Sequence, residues 1–310
     1  MPDIVIVFFL LGLVAGLLKS DLRVPSAVYE TLSILLMLAL GLKGGMALHG
    51  RAEWGMLYQL LPIASLGVLI PLLIYPILRR LVQLSTENAV SIAAHYGSVS
   101  AGTFAVALAL IAQSQLPIAP ETTLYLVLLE LPALIVMLLW HQRLGNQTQS
   151  TFAVVHEALT SRSVLLLTGG IIIGWLYGPV GLEPITPALI GGFKTFLALF
   201  LLEMGICTAR ACVPLPVHQW RLLIFAAAAP FGLAWLGIAT GLALNLPAGS
   251  ILALAALTAS ASYIAAPVAI RAAVPKADIG LAMLASLGVT FPINVIIGLP
   301  LYQSWIQSML

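Results

Sequence analysis

The sequence predicts an all-α membrane protein with ten transmembrane helices, arranged as two inverted five-helix repeats that each contain one broken helix. Three observations carry this expectation: the scarcity of charge, the spacing of the apolar runs, and a self-similarity at an offset of 162 residues. Hydrophobic residues make up 61% of the chain and charged residues only 8%, whereas a soluble domain is about one quarter charged. The solvent for most of this surface is therefore lipid. A net charge of +2 is too small to gather nucleic acid. Cys207 and Cys212 are the only cysteines. A zinc site or a disulfide framework needs more ligands, so both are read as packing residues.

A helix crosses the hydrocarbon layer in roughly 20 residues, with a range of about 17 to 25. Apolar runs between charged or Pro/Gly breaks fall at 4–18, 26–48, 57–77, 88–113, 121–141, 163–178, 188–207, 219–243, 248–270 and 279–303. The first run has no basic segment before it, unlike a cleavable signal peptide, and is expected to stay as a membrane helix. Loops after odd-numbered spans hold ten of the Lys and Arg residues and the opposite side holds three. The positive-inside rule then puts both termini outside the cell's inner (plasma) membrane and the 142–162 linker in the cytoplasm. That linker is either a plain tether or a docking surface for a cytosolic regulator.

Shifting the chain by 162 residues sets Gly12 on Gly174, Gly16 on Gly178, Pro25 on Pro187, Ser98 on Ser260 and Ser100 on Ser262; with a slip of two, Pro132 meets Pro292. The matches fall at comparable places in comparable spans. Residues 1–141 form the first repeat and 163–310 the second. Five spans is an odd number, so the second half enters the membrane in the opposite sense. Inverted repeats with matching polar interruptions are a signature of secondary transporters.

The interruptions read HYGSVSAGTF at 95–104 and TASASYIAAPVAI at 258–270. Serine and glycine loosen a helix, and Pro267 removes a donor. Unwound backbone survives at membrane depth only where protein or a watery cavity satisfies it. Where two such breaks meet, helix N-termini suit a small anion, and freed carbonyls and hydroxyls suit a cation. His95, Tyr96, Tyr263 and Asn294 are placed to line such a cavity. Glu130 lies mid-span beside Pro132 and is a functional candidate. Glu203 is assigned near a span end, as a structural residue. The Gly12/Gly16 and Gly170/Gly174/Gly178 series are read as packing faces. There is no H-E-x-x-H, no paired intramembrane aspartates and no G-x-S-x-G, so an enzyme is not expected.

Across nearly its whole length the chain resembles the sodium-dependent bicarbonate transporter family first described in cyanobacteria (SbtA-type permeases). The resemblance rests on GLKGGMAL at 41–48, GSVSAGT at 97–103, ELPAL at 130–134, SASYIAAPVAIRAAVP at 260–275 and FPIN at 291–294. Tyr263 stands where the family pattern has an acid, and Ala261 where it has a hydroxyl. The resemblance implies a gate of helices 1, 2, 6 and 7, a core of helices 3–5 and 8–10, elevator-like movement of the core, a homotrimer, and a PII-like cytosolic regulator. Expected substrate contacts are Gly97, Ser98, Ser100, Gly102, Thr103, Ser260, Ser262 and Tyr263. Expected ion-binding or coupling residues are Ser100, Thr103, Ser262, Glu130 and Asn294. The implied function is sodium-coupled uptake of bicarbonate, with sodium as the coupling ion and no other cofactor. Two alternatives stand beside it: a sodium- or proton-coupled carrier of a small organic monocarboxylate, and a ligand sensor with a cytosolic partner.

Overall fold

The protein is described by a computed structural model covering residues 4–50, 56–145, 156, 160, 162–212 and 217–310. Most of the 142–162 linker lies outside the described residues. Among them every regular element is helical. In chain order the helices are α1 (Ile4–Leu17), α2 (Ser26–Leu48), α3 (Met56–Ile77), α4 (Thr86–Gly97), α5 (Ala101–Gln113), α6 (Leu124–Gly145), α7 (Arg162–Gly181), α8 (Phe193–Cys212), α9 (Trp220–Ala243), α10 (Ala248–Thr258), α11 (Ala265–Ala273) and α12 (Ile279–Met309).

Among the described residues, eight helical stretches are long and apolar enough to cross a membrane, while Ile4–Leu17 and Ala248–Thr258 are apolar but shorter. The expected ninth span is thus two short helices, α10 and α11, rather than one. The expected fourth span is likewise split into α4 and α5. Helix α6 runs on to Gly145 and takes up the start of the stretch assigned to the linker.

Packing follows small residues. Helix α2 lies along α7, and α1 along α8. A Cβ at Gly41 would stand 2.5 Å from the Leu167 carbonyl oxygen, and one at Gly174 2.5 Å from that of Leu42. Gly12 and Gly205 meet across α1 and α8 in the same way. Only glycine lets backbones approach this closely. Gly16 also serves this seam, against Ala209, as the packing-face reading expects. Elsewhere α3 packs on α4 and α6, α9 on α10, and α10 on α5 and α12.

Prolines set the bends. Pro179 has no N–H for the Trp175 carbonyl; that oxygen instead accepts from His49 Nδ1 at 2.6 Å, and Gly178 turns left-handed at φ +62° beside it. Gly178 therefore serves a kink as well as the packing face read from its spacing, since a Cβ there would stand 2.6 Å from the His49 ring. Helix α12 passes through two π-helical stretches, Leu284–Thr290 and Asn294–Gly298. Near Pro292, which has no N–H to give, Cys212 Sγ donates to the Gly288 carbonyl at 3.2 Å. Thr208 Oγ1 donates to the neighbouring Leu287 carbonyl at 3.1 Å. Such π-bulges recur at functional sites.

The distribution of polarity is inverted relative to a soluble protein. Val180, Leu176, Tyr177 and Ile172 on α7 are exposed, whereas Ser98, Ser260, Thr290 and Asn294 are completely buried. In lipid an unpaired polar group costs several kcal/mol, roughly, so hydroxyls collect inside.

Candidate functional site: the crossing of two interrupted helices

Helix α4 stops because Ser98 leaves the helical region, at φ −75°, ψ 173°. Ser100 is also extended, and its side chain caps α5 by accepting from the Thr103 N–H at 3.0 Å. This is an N-cap of the favoured residue type. The second interruption spans residues 259–264. Ser262 Oγ accepts from the Ala266 N–H at 3.2 Å, in the first turn of α11. The serines that break each span also start the half-helix on its far side.

The two interruptions touch. The Ser100 N–H donates to Ser260 Oγ at 2.8 Å, and the Ser262 N–H donates to the His95 carbonyl at 2.7 Å. Ser260 Oγ in turn donates to the Leu257 carbonyl at 2.8 Å. Asn294 Nδ2 donates to the Ala259 carbonyl at 2.7 Å, and Tyr302 donates its hydroxyl hydrogen to Asn294 Oδ1 at 2.8 Å. Freed backbone at this depth is therefore largely satisfied by protein.

The unsatisfied groups are informative. Ser98 Oγ, Thr103 Oγ1, His95 Nε2 and Tyr263 Oη are buried with no hydrogen-bond partner among the described residues. His95 Nδ1 lies 2.7 Å from the Ser91 carbonyl. A carbonyl only accepts, so Nδ1 carries the hydrogen and Nε2 is the ring atom left over. Four of the nine such atoms among the described residues lie at this crossing; others, such as Thr123 Oγ1, Tyr125 Oη and Glu203 Oε2, lie elsewhere.

Between the breaks lies a cavity of about 10 Å³, the space open to the centre of a water-sized sphere. That is near the lower limit for a single water. Its walls are residues 99–101 and 262–265, with Glu130 from α6 and Met37 from α2. The N-termini of α5 and α11 both border it. Each carries a partial positive charge of about half an elementary unit, with the Thr103 and Ala266 N–H groups taken by the serine hydroxyls. Glu130, 4% exposed, adds a carboxyl group to the same wall. The chemistry offered is recognition of a small oxyanion by backbone donors, with oxygen ligands for a cation alongside.

Of the residues singled out from the sequence, Ser100, Ser262, Tyr263 and Glu130 line this cavity. Gly102 lies directly under the Tyr263 hydroxyl, leaving no room for a Cβ. Ser98, Thr103 and Ser260 are at the crossing but off the cavity wall. Gly97 packs against the Pro71 ring, 2.7 Å from where its Cβ would be. Asn294 has both side-chain atoms engaged and holds the end of α10. Tyr96 is a pin between helices: its hydroxyl lies 2.6 Å from Thr290 Oγ1, which itself donates to the Ala226 carbonyl at 2.7 Å. Glu203 is in the middle of α8 and 7% exposed, not near an interface; the helix starts and ends later than the apolar run suggested. Met37 was missed, since one methionine in an apolar helix carries no signal.

No curated protein matches the chain. The model of the Na+-dependent bicarbonate transporter superfamily matches residues 4–307. That match covers nearly the whole chain, both interruptions included, and the family is one of transporters rather than enzymes. The chain belongs to the Na+-dependent bicarbonate transporter superfamily.

Proposed function

We propose that this protein is a secondary active transporter that takes up bicarbonate with sodium by alternating access of the crossing site. The single observation that carries this reading is the convergence of two half-helix N-termini and their capping serines on one buried cavity. A small anion is held there by N–H groups and dipole ends without a basic side chain. Ser100, Ser262 and Tyr263 contribute hydroxyls from the cavity wall; Ser98, Thr103 and Ser260 stand behind them at the crossing, and Gly97 and Gly102 make room for the Pro71 ring and the Tyr263 hydroxyl. Sodium takes hydroxyl oxygens of Ser100, Thr103 and Ser262, and Glu130 supplies the negative charge that Tyr263 does not. Asn294 acts indirectly, by fixing the end of α10.

Movement is of the elevator type. Helices α1, α2, α7 and α8, which pack on one another, form the scaffold, and the remaining helices form the moving core. A repeat inverted across the membrane is supported by an echo in the backbone: left-handed Gln83 follows the π-helical stretch Leu78–Val82 that extends α3, and left-handed Asn245 follows α9, at the same offset of 162 as the paired serines. The cavity, about 10 Å³, is smaller than bicarbonate, so the surrounding helices part to admit the anion. Both termini lie outside, the 142–162 linker faces the cytoplasm, and the protein works as a homotrimer that a PII-like regulator engages there.

Glu130 on the cavity wall favours one second reading, a proton-coupled carrier of a small organic monocarboxylate. Purified protein in liposomes separates the two. We expect labelled bicarbonate to accumulate with an inward sodium gradient, and excess acetate or lactate to leave that uptake unchanged. Uptake driven by a proton gradient alone, and blocked by carboxylates, would replace the first reading with the second.

A further inference from the structure

The cavity at the crossing has one wall of a different origin. Residues 99–101, 262–265 and Glu130 belong to the two interruptions and to α6, whereas Met37 comes from α2. Helix α2 is fastened to α7 by glycine contacts at Gly41 and Gly45, with backbone atoms of α7 inside the space a Cβ would need. Such close packing transmits strain rather than yielding. Met37 is 4% exposed, so its thioether fills space between scaffold and site and does not face lipid.

An apolar side chain offers an anion no hydrogen bond. Its contribution is bulk and exclusion of water. A methionine suits this task because its unbranched chain has several low-energy shapes and adapts to the gap it fills. With about 10 Å³ open, any oxyanion seated at the N-termini of α5 and α11 must displace the Met37 tail or leave its reach.

We infer that Met37 is the scaffold-side gate of the site and sets the upper size of the anion that is carried. The inference rests on the reading of this cavity as the substrate site. The amide and hydroxyl donors recognise an oxyanion head, which bicarbonate, formate and longer carboxylates all present. Met37 discriminates among them by the size of the group attached to that head. Shortening it opens room for an alkyl tail, and widening it closes the site to bicarbonate first and to smaller formate last. A hydrophobic pocket discriminates a methylene by roughly 10- to 200-fold, which bounds the effect.

The test is uptake of labelled bicarbonate, formate and propionate into liposomes by the wild type, Met37→Ala, Met37→Leu and Met37→Trp. The expected result is a rise of about tenfold or more in the propionate-to-bicarbonate ratio for Met37→Ala. Met37→Leu, similar in volume, keeps the wild-type ratio, and Met37→Trp loses bicarbonate before formate. Should Met37→Ala not assemble, Met37→Val gives the same trend at smaller size. A wild-type ratio in the shortened variants overturns the gate. Absence of bicarbonate uptake by the wild type overturns the parent reading instead, and the formate-to-propionate ratio across the series then decides the gate by itself.

Discussion

With Ser100 and Ser262 both changed to alanine, sodium-driven bicarbonate uptake falls to background while the protein still folds and inserts. Each hydroxyl caps a half-helix, Ser100 at the Thr103 N–H and Ser262 at the Ala266 N–H. Losing one such cap costs about 1 kcal/mol, a tolerable sum for two in a helix bundle of this size. The loss for ligand binding is larger. A hydrogen bond to a charged group contributes roughly 1.5–3 kcal/mol, so two removed together weaken binding by about a hundredfold or more. The separation of stability from transport is the signature of the site. It is measured by comparing melting temperature in detergent with uptake in liposomes. Wild-type uptake by the double variant would show that these serines are only helix caps.

The second large effect concerns movement. In the proposed mechanism α8 stays with the scaffold and α12 travels with the core. Between them run two hydrogen bonds, from Thr208 to the Leu287 carbonyl and from Cys212 to the Gly288 carbonyl. These bonds must break and re-form if the core slides. A Cβ placed at Gly288 would stand 3.2 Å from Cys212 Sγ, with ordinary van der Waals contacts to Leu284 and Ala211. That spacing is within reach of a disulfide. Gly288→Cys is therefore expected to cross-link to Cys212 on mild oxidation and to reduce uptake at least about tenfold, with recovery on reduction. The arrest is geometric, because a cross-link of fixed length cannot accommodate a displacement of one helix past another. The same substitution combined with Cys212→Ser should be indifferent to oxidant. Full transport by the cross-linked protein would mean that α8 and α12 do not move apart, and would rule out the elevator.

The interruptions were legible because polar and helix-breaking residues are scarce in such a chain. Serine at 98, 100, 260 and 262 contradicts its surroundings, and the backbone breaks at those places. Glycine spacing likewise marked packing faces on α1 and α7, though not the helices α8 and α2 that they meet. Three features were not legible, each for a physical reason. In the first π-helical stretch of α12 the Leu287 and Gly288 carbonyls accept from Thr208 and Cys212 of α8, about 80 positions away in sequence, and no local pattern encodes that. Glu203 was displaced toward a helix end because α8 begins after Gly191 and Gly192, and an apolar run does not mark where backbone hydrogen bonding starts. Met37 gains its place from the way α2 crosses the two breaks, so its role resides in the tertiary arrangement and not in its neighbours. Gly97 and Asn294 were found by the same motifs as the serines, yet they support the site from behind it.

An oxyanion seated where two half-helices begin is the central claim, and an experimental structure determined with bicarbonate and sodium present tests it most directly. The expected result is density for a planar anion within hydrogen-bonding distance of the first N–H groups of α5 and α11, with the Met37 side chain moved aside. An anion bound elsewhere, with the crossing unchanged and empty, would contradict it.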